Sequence, residues 1–234
     1  MRSVRRAEWR RFHHLFRVAP AYHLDEKTMK TRDLNQLASQ LDLPGFEVRG
    51  AMLFMQPVKQ VLRGLYFEGS GFDPSSFYLW AFFMLLCMPT RQVNFNLGKR
   101  IRDFETEGWN KNDPVLVPKL VDAIKREASP FLECAHSIQS ATETAISFQV
   151  PSRPNLHIQE TISYGLIRSG QFDRARVELN KLKQIADLRI TWEREVSERA
   201  GGVDEKLETS PEQAQALLIE WENQTASDLG IRTR

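Results

Sequence analysis

The sequence predicts an α+β protein: an antiparallel meander of about four strands with an N-terminal helix pair, followed by an α-helical C-terminal unit. Three observations carry this. Short runs rich in β-branched and aromatic residues cluster between residues 46 and 98, punctuated by Gly and Pro. Beyond the polar stretch at 107–114 nearly every segment keeps a 3.6-residue apolar period. A chain of 234 residues that is 41% apolar and 26% charged can bury a sizeable core without disulfide or metal staples. The change of character sets the expected boundary, with an α+β unit at 1–112 and a helical unit at 113–234.

A first helix is expected in MRSVRRAEWRRFHHLFRVAP, where Trp9, Phe12, Leu15, Phe16 and Ala19 recur at spacings of three and four with arginines on the other faces. The net charge of +2 conceals opposite ends. Residues 1–32 hold nine basic groups against three acidic, and 201–234 hold three against seven. The basic helix suits an acidic partner protein, a nucleic-acid backbone or an anionic membrane surface. It equally suits a packed first helix whose arginines pair with acids elsewhere, the acidic C-terminal segment among them. Its arginine-rich, acid-poor composition also resembles an organellar transit peptide, whereas Arg10, Arg11, His13 and His14 interrupt the apolar run a secretory signal needs.

Leu34, Leu37, Ala38 and Leu41 mark a second helix, closed by Leu-Pro-Gly at 43–45. FEVRGAMLFM (46–55) and VLRGLYF (61–67) read as an antiparallel hairpin across the loop QPVKQ. After the loop EGSGFDPSS (68–76), the unbroken apolar run from Phe77 to Met88 reads as a central strand covered on both faces. At 13 residues to Pro89, that run is too short to span a bilayer, which takes about 20. Val93, Phe95 and Leu97 alternate with Asn94 and Asn96, as in a short strand with one wet face.

In the helical unit, Val117 to Cys134 is expected to be interrupted near Ser129-Pro130, where proline removes a backbone donor. His136 to Ile146 follows, and PSRPN (151–155) ends it. Leu156 to Ser169 and Phe172 to Ala186 form a helical hairpin about Gly170, and Trp192 to Arg199 continues or restarts the second helix. A polar, Gly-rich linker, GGVDEKLETS, precedes a last helix whose Ser210-Pro211-Glu212-Gln213 start has capping-box form. Its stripe is Ala214, Leu217, Leu218, Trp221 and Thr225.

The chemistry-bearing motifs are few. No phosphate loop, HExxH helix, nucleophile elbow or EF-hand occurs. Histidines 13, 14, 23, 136 and 157 offer no i, i+4 pair, so no metal, cofactor or catalytic residue is expected. Cys87 and Cys134 lack CxxC spacing and read as buried thiols of a reducing cytoplasm. Gly98, Lys99 and Arg100 could present backbone amides and two cations to an anion, or simply end a strand. Glu68, Ser70 and Asp73 form the best local polar group, made of ordinary turn formers.

Two stretches carry family likenesses. GFEVRGAMLF, the FEGSGFDPSSFYLWAFFMLLCMPT block and NFNLGKRI, across 45–100, resemble uncharacterised bacterial α+β domains whose strands end in a Pro-Leu…Gly-Lys-Arg pattern, with Leu85-Leu86 here in place of the Pro-Leu. Such families bring no catalytic residues, and similar small bacterial families are proposed as immunity proteins or other factors of toxin systems. Ser163, Gly170, Phe172, Ala175 and Leu179 in 156–186 resemble one tetratricopeptide hairpin; an array needs three or more.

These readings favour a non-catalytic cytoplasmic protein that binds another protein, an immunity-type inhibitor of a toxin with an acidic surface. Arg5, Arg6, Trp9 and Arg10 are the expected anchors. The alternative is nucleic-acid association through the same helix, extended by Lys99, Arg100 and Arg102; a third is an enzyme with a site dispersed over the sheet.

Overall fold

The computed structural model describes residues 31–103, 108–150, 152 and 154–233. The expected first helix, with Arg5, Arg6, Trp9 and Arg10, lies outside them. The described chain is α+β. Helix α1 (Thr31–Gln40) precedes strands β1 (Phe46–Arg49), β2 (Met52–Met55), β3 (Val61–Gly69), β4 (Ser76–Leu85), β5 (Gly98–Ile101) and β6 (Trp109–Asn110). The sheet is an antiparallel meander in the order β1-β2-β3-β4-β5, and β6 continues along the β5 edge of β4.

The meander has one strand more than expected because 46–55 is a hairpin rather than a single strand. Arg49 pairs with Met52, and Gly50 (φ 61°) takes the first central position of a two-residue turn. The alternation at 93–97 does not form a strand either. Those residues form a loop that lays Phe95 on the sheet, and the ladder resumes at Gly98. Val93 and Phe95 are apolar because the loop packs on the outer face, and Leu97 because it enters the core with Phe83 and Leu85. The run at 77–88 is central as expected, pairing with β3 over nine residues from Ser76's neighbour Phe77 to Leu85.

After the sheet come seven α-helices. They are α2 (Leu116–Ala123), α3 (Ser129–Glu133), α4 (Ile138–Phe148), α5 (Leu156–Arg168), α6 (Phe172–Ile185), α7 (Thr191–Thr209) and α8 (Pro211–Asp228). A π-helical turn, Ile124–Ala128, joins α2 to α3 just before Pro130, whose ring cannot donate into a regular ladder. Ser137 and Ser140 form a capping box for α4, Asn155 caps α5, and Ser210 accepts the Gln213 amide at the start of α8. Gly170 (φ 77°) turns α5 into α6.

The expected linker is absent: α7 runs through Gly201-Gly202. Val196, Ala200, Val203 and Leu207 stay on one buried stripe across the glycines. Burying each large apolar side chain contributes about 1.5–3 kcal/mol, which offsets a glycine cost of about 1 kcal/mol each.

The helices cover one face of the sheet. On this inner face Leu53, Leu65, Phe67, Leu79 and Ile101 share a core with Leu34 and Leu37 of α1, Leu41 just beyond its end, and Leu116 and Leu120 of α2. Phe83 and Leu85, further along β4, join Ala141, Tyr164, Leu179 and Trp221. The helical unit and the sheet thus share core rather than standing apart. Gly165 lets α5 approach α4 and β4, since a Cβ there would overlap Thr142 Oγ1 and touch Leu85.

Among the described residues the outer face is covered over only part of its area. Phe54, Leu62, Phe82 and Met84 pack beneath Ala226, Leu229 and Ile231 from the end of the chain. Arg49 fastens that end by donating to the Leu229 and Gly230 carbonyls (2.7 and 2.6 Å), and Thr225 Oγ1 donates to Met88 O. Among the described residues no helix is long and apolar enough to cross a membrane. Cys87 is buried, as expected; Cys134 is exposed, because it follows the last turn of α3 on the solvent side.

Candidate functional site

The uncovered part of the outer face begins where the C-terminal cover ends. Side chains alternate across a strand, so Tyr78 and Trp80 of β4 point away from the helices, as Phe77 and Leu79 point toward them. The β4–β5 register sets Arg100 directly opposite Trp80, with Tyr78 diagonal to it. The Arg100 guanidinium carbon therefore sits 4.0 Å from the Tyr78 ring centre and 4.9 Å from that of Trp80. Both lie within cation–π range.

The shelf is braced from the covered side and pinned by a hydrogen bond. Phe95 stacks on Tyr66 (4.9 Å) and Trp80 (6.0 Å) and meets Phe82 edge-on (5.3 Å). Trp80 Nε1 donates to Glu68 Oε2 at 2.8 Å. Burial and the Glu68 charge push the Tyr66 phenol up, keeping it neutral. Among the described residues, Arg100 has no carboxylate partner. Other sheltered arginines have one: Arg168 with Glu222 (3.0 Å), Arg199 with Glu160 (2.9 Å) and Arg63 with Glu133 (3.6 Å).

The β3–β4 loop, which leads into β4, displays Phe72, 95% exposed. The loop is internally bonded. Ser70 Oγ accepts the amides of Phe72 and Asp73, while Asp73 accepts the Ser75 amide and the Ser75 and Ser76 hydroxyls. Those bonds, with Ser76 the strongest, hold the Asp73 carboxyl below its ordinary range. Glu68, Ser70 and Asp73 do not converge as acid–base groups. Glu68 serves Trp80, and the other two fix the turn.

The Gly98-Lys99-Arg100 candidate forms β5, its backbone paired with Phe82, Ala81 and Trp80. Its two cations part to opposite faces. Lys99 lies on the helical side, 3.4 Å from Glu127, and Arg100 lies on the aromatic shelf. Phe72, Tyr78 and Trp80 were not among the sequence candidates.

Grooves also lie away from the shelf. One, of about 310 Å³, lies between α1 and α2; its Lys111 pairs with Asp33 (3.1 Å) and its Asp113 with Lys119 (2.8 Å). Another, of about 120 Å³, is lined by Trp109 and by Asp103, Asp122, Lys119 and Arg126. Among the described residues no group of three or more His, Cys, Asp or Glu could hold a metal ion. No protein-family model, curated protein or solved structure matches the chain.

Proposed function

We propose that this chain is a non-catalytic protein that binds another protein, using the uncovered outer face of the sheet. The observation that carries the reading is Phe72, a large apolar side chain left 95% exposed on a loop held by its own hydrogen bonds. Solvent exposure of a fixed aromatic has no benefit to folding. As a binding anchor its rigidity lowers the entropy lost on association. Tyr78 and Trp80 of β4, the strand that follows the loop, and Arg100 of the paired β5 are the residue types that carry most interface energy.

Immunity-type inhibition of a bacterial toxin in the cytoplasm is the specific form of this reading. It draws on the resemblance of residues 45–100. Arg5, Arg6, Trp9 and Arg10 remain anchors of the same proposal, with an acidic partner surface as their complement.

A photo-crosslinking amino acid at Phe72 tests the reading in native cells. One discrete protein adduct is expected from position 72, absent from Glu143 on the exposed side of α4, and F72A should lower recovery of that protein at least about tenfold. Equal or absent crosslinking at the two positions overturns it.

A further inference from the structure

We infer that the partner delivers an Asp or Glu carboxylate to Arg100, which acts as a preset carboxylate receptor on the aromatic shelf. This rests on the proposed protein-binding role and names the chemistry of its central contact. The argument starts from what Arg100 lacks. It is half-buried and placed against two rings, yet among the described residues it meets no carboxylate. Ring faces satisfy the charge of a guanidinium only in part, and they leave donors for a planar oxyanion, which a guanidinium meets with two parallel hydrogen bonds.

The surroundings choose a carboxylate over a phosphate backbone. Glu68 stands on the same shelf, bonded to Trp80, and Asp73 lies in the adjoining loop with its carboxyl held ionised. Lys99, the nearest cation in sequence, is turned to the other face and engaged by Glu127. Arg102, two residues on, is engaged and lines the groove that holds Asp103 and Asp122, so the shelf offers the one guanidinium of Arg100, which matches one carboxylate. A nucleic-acid strand brings a phosphate at every nucleotide and calls for a row of cations. Phe72, exposed on the loop that leads into β4, would take an apolar side chain of the same partner.

The test selects a random dodecapeptide display library on the full chain, with matched selections on R100Q, R100K and F72A. Selected peptides should carry Asp or Glu, and changing that residue to Asn or Gln should weaken binding at least about tenfold. R100Q and R100K should lose them alike, since lysine cannot reproduce the planar fork. R100Q should melt within about 3 °C of wild type, which separates recognition from folding. Peptides lost on F72A but indifferent to their own acids and to R100Q would overturn the carboxylate inference and leave the protein-binding reading standing. No selected peptide, together with R100Q-sensitive binding of a 20-nucleotide oligo-uridine that weakens steeply from about 50 to 200 mM salt, would overturn both.

Discussion

Arg199 and Arg100 show how differently the helical layer and the outer sheet face dispose of a charge. Arg199 reaches from α7 to Glu160 on α5, a pair whose side chains are 11% and 1% exposed, and makes two hydrogen bonds to one carboxylate oxygen. Arg100 is also sheltered, but its neighbours are Tyr78 and Trp80. The helical layer pairs this charge within itself; the sheet face leaves a charge set in rings. Burial alone would not distinguish the two. The lack of a carboxylate among the described residues does, because a buried ion pair is a feature of folding while an arginine held without one is a feature offered to something else.

The contrast is sharpest when each arginine's environment is removed. Glu160→Gln takes away the buried carboxylate to which Arg199 donates twice, leaving Glu195 as a weaker electrostatic neighbour, and costs up to about 3–5 kcal/mol. Urea denaturation should register it as a fall in midpoint. Replacing both partners, in Glu160→Gln with Arg199→Met, should recover most of the loss, since a buried charge that has lost its main partner is the expensive element.

The same pair fixes an acid limb. Burial opposes ionisation of Glu160, but the charge of Arg199, the His157 ring 3.9 Å away and the hydrogen bonds from Arg199 outweigh it and hold the carboxyl below its usual 4.5. A depressed carboxyl stabilises the fold above the unfolded value and loses that contribution as pH falls through the folded one. Stability should therefore be level in this component above about pH 4.5 and decline below it, and the double variant should lack this share of the decline.

Close packing in the helical layer gives the next effect. Gly165 lies where α5 meets α4 and β4, and an added methyl would overlap Thr142 Oγ1 and press on Leu85. Gly165→Ala should cost about 1–3 kcal/mol through overpacking, despite alanine's better helix propensity. A neutral or stabilising result would mean that the layer yields more readily than its buried polar pair implies.

The regions also differ in how much of them the sequence discloses. The run FYLWAFFML announces β4 as central because it is apolar on both faces where strands pair on both sides, and Ser210 and Gly170 mark helix ends through local backbone chemistry. Local signals fail where tertiary packing overrides them. Gly201-Gly202 reads as a linker but lies inside α7, and Val93, Phe95 and Leu97 alternate like a strand but pack as a loop. The shelf was the least legible part. Tyr78 and Arg100 are 22 positions apart and meet only through a register that no local pattern specifies. Phe72 looked like one more residue of a turn, since exposure cannot be read from a single side chain. Arg100 alone of this group was marked by sequence, and for a phosphate-like anion alongside Lys99, from which the strand pleat separates it.

The smallest expected effect on stability is therefore the most informative one. Cation–π contacts at accessible sites contribute about 0.5–1 kcal/mol, so Arg100→Gln should lower stability by no more than about 1 kcal/mol, against several for Glu160→Gln. The ratio matters more than either number. If Arg100→Gln proved as costly as Glu160→Gln in the same denaturation series, Arg100 would be holding the outer face together and the shelf would belong to the fold. A small cost leaves an arginine that the sheet orients but does not need, and stability then gives no reason for the strands to set Tyr78, Trp80 and Arg100 on one uncovered face.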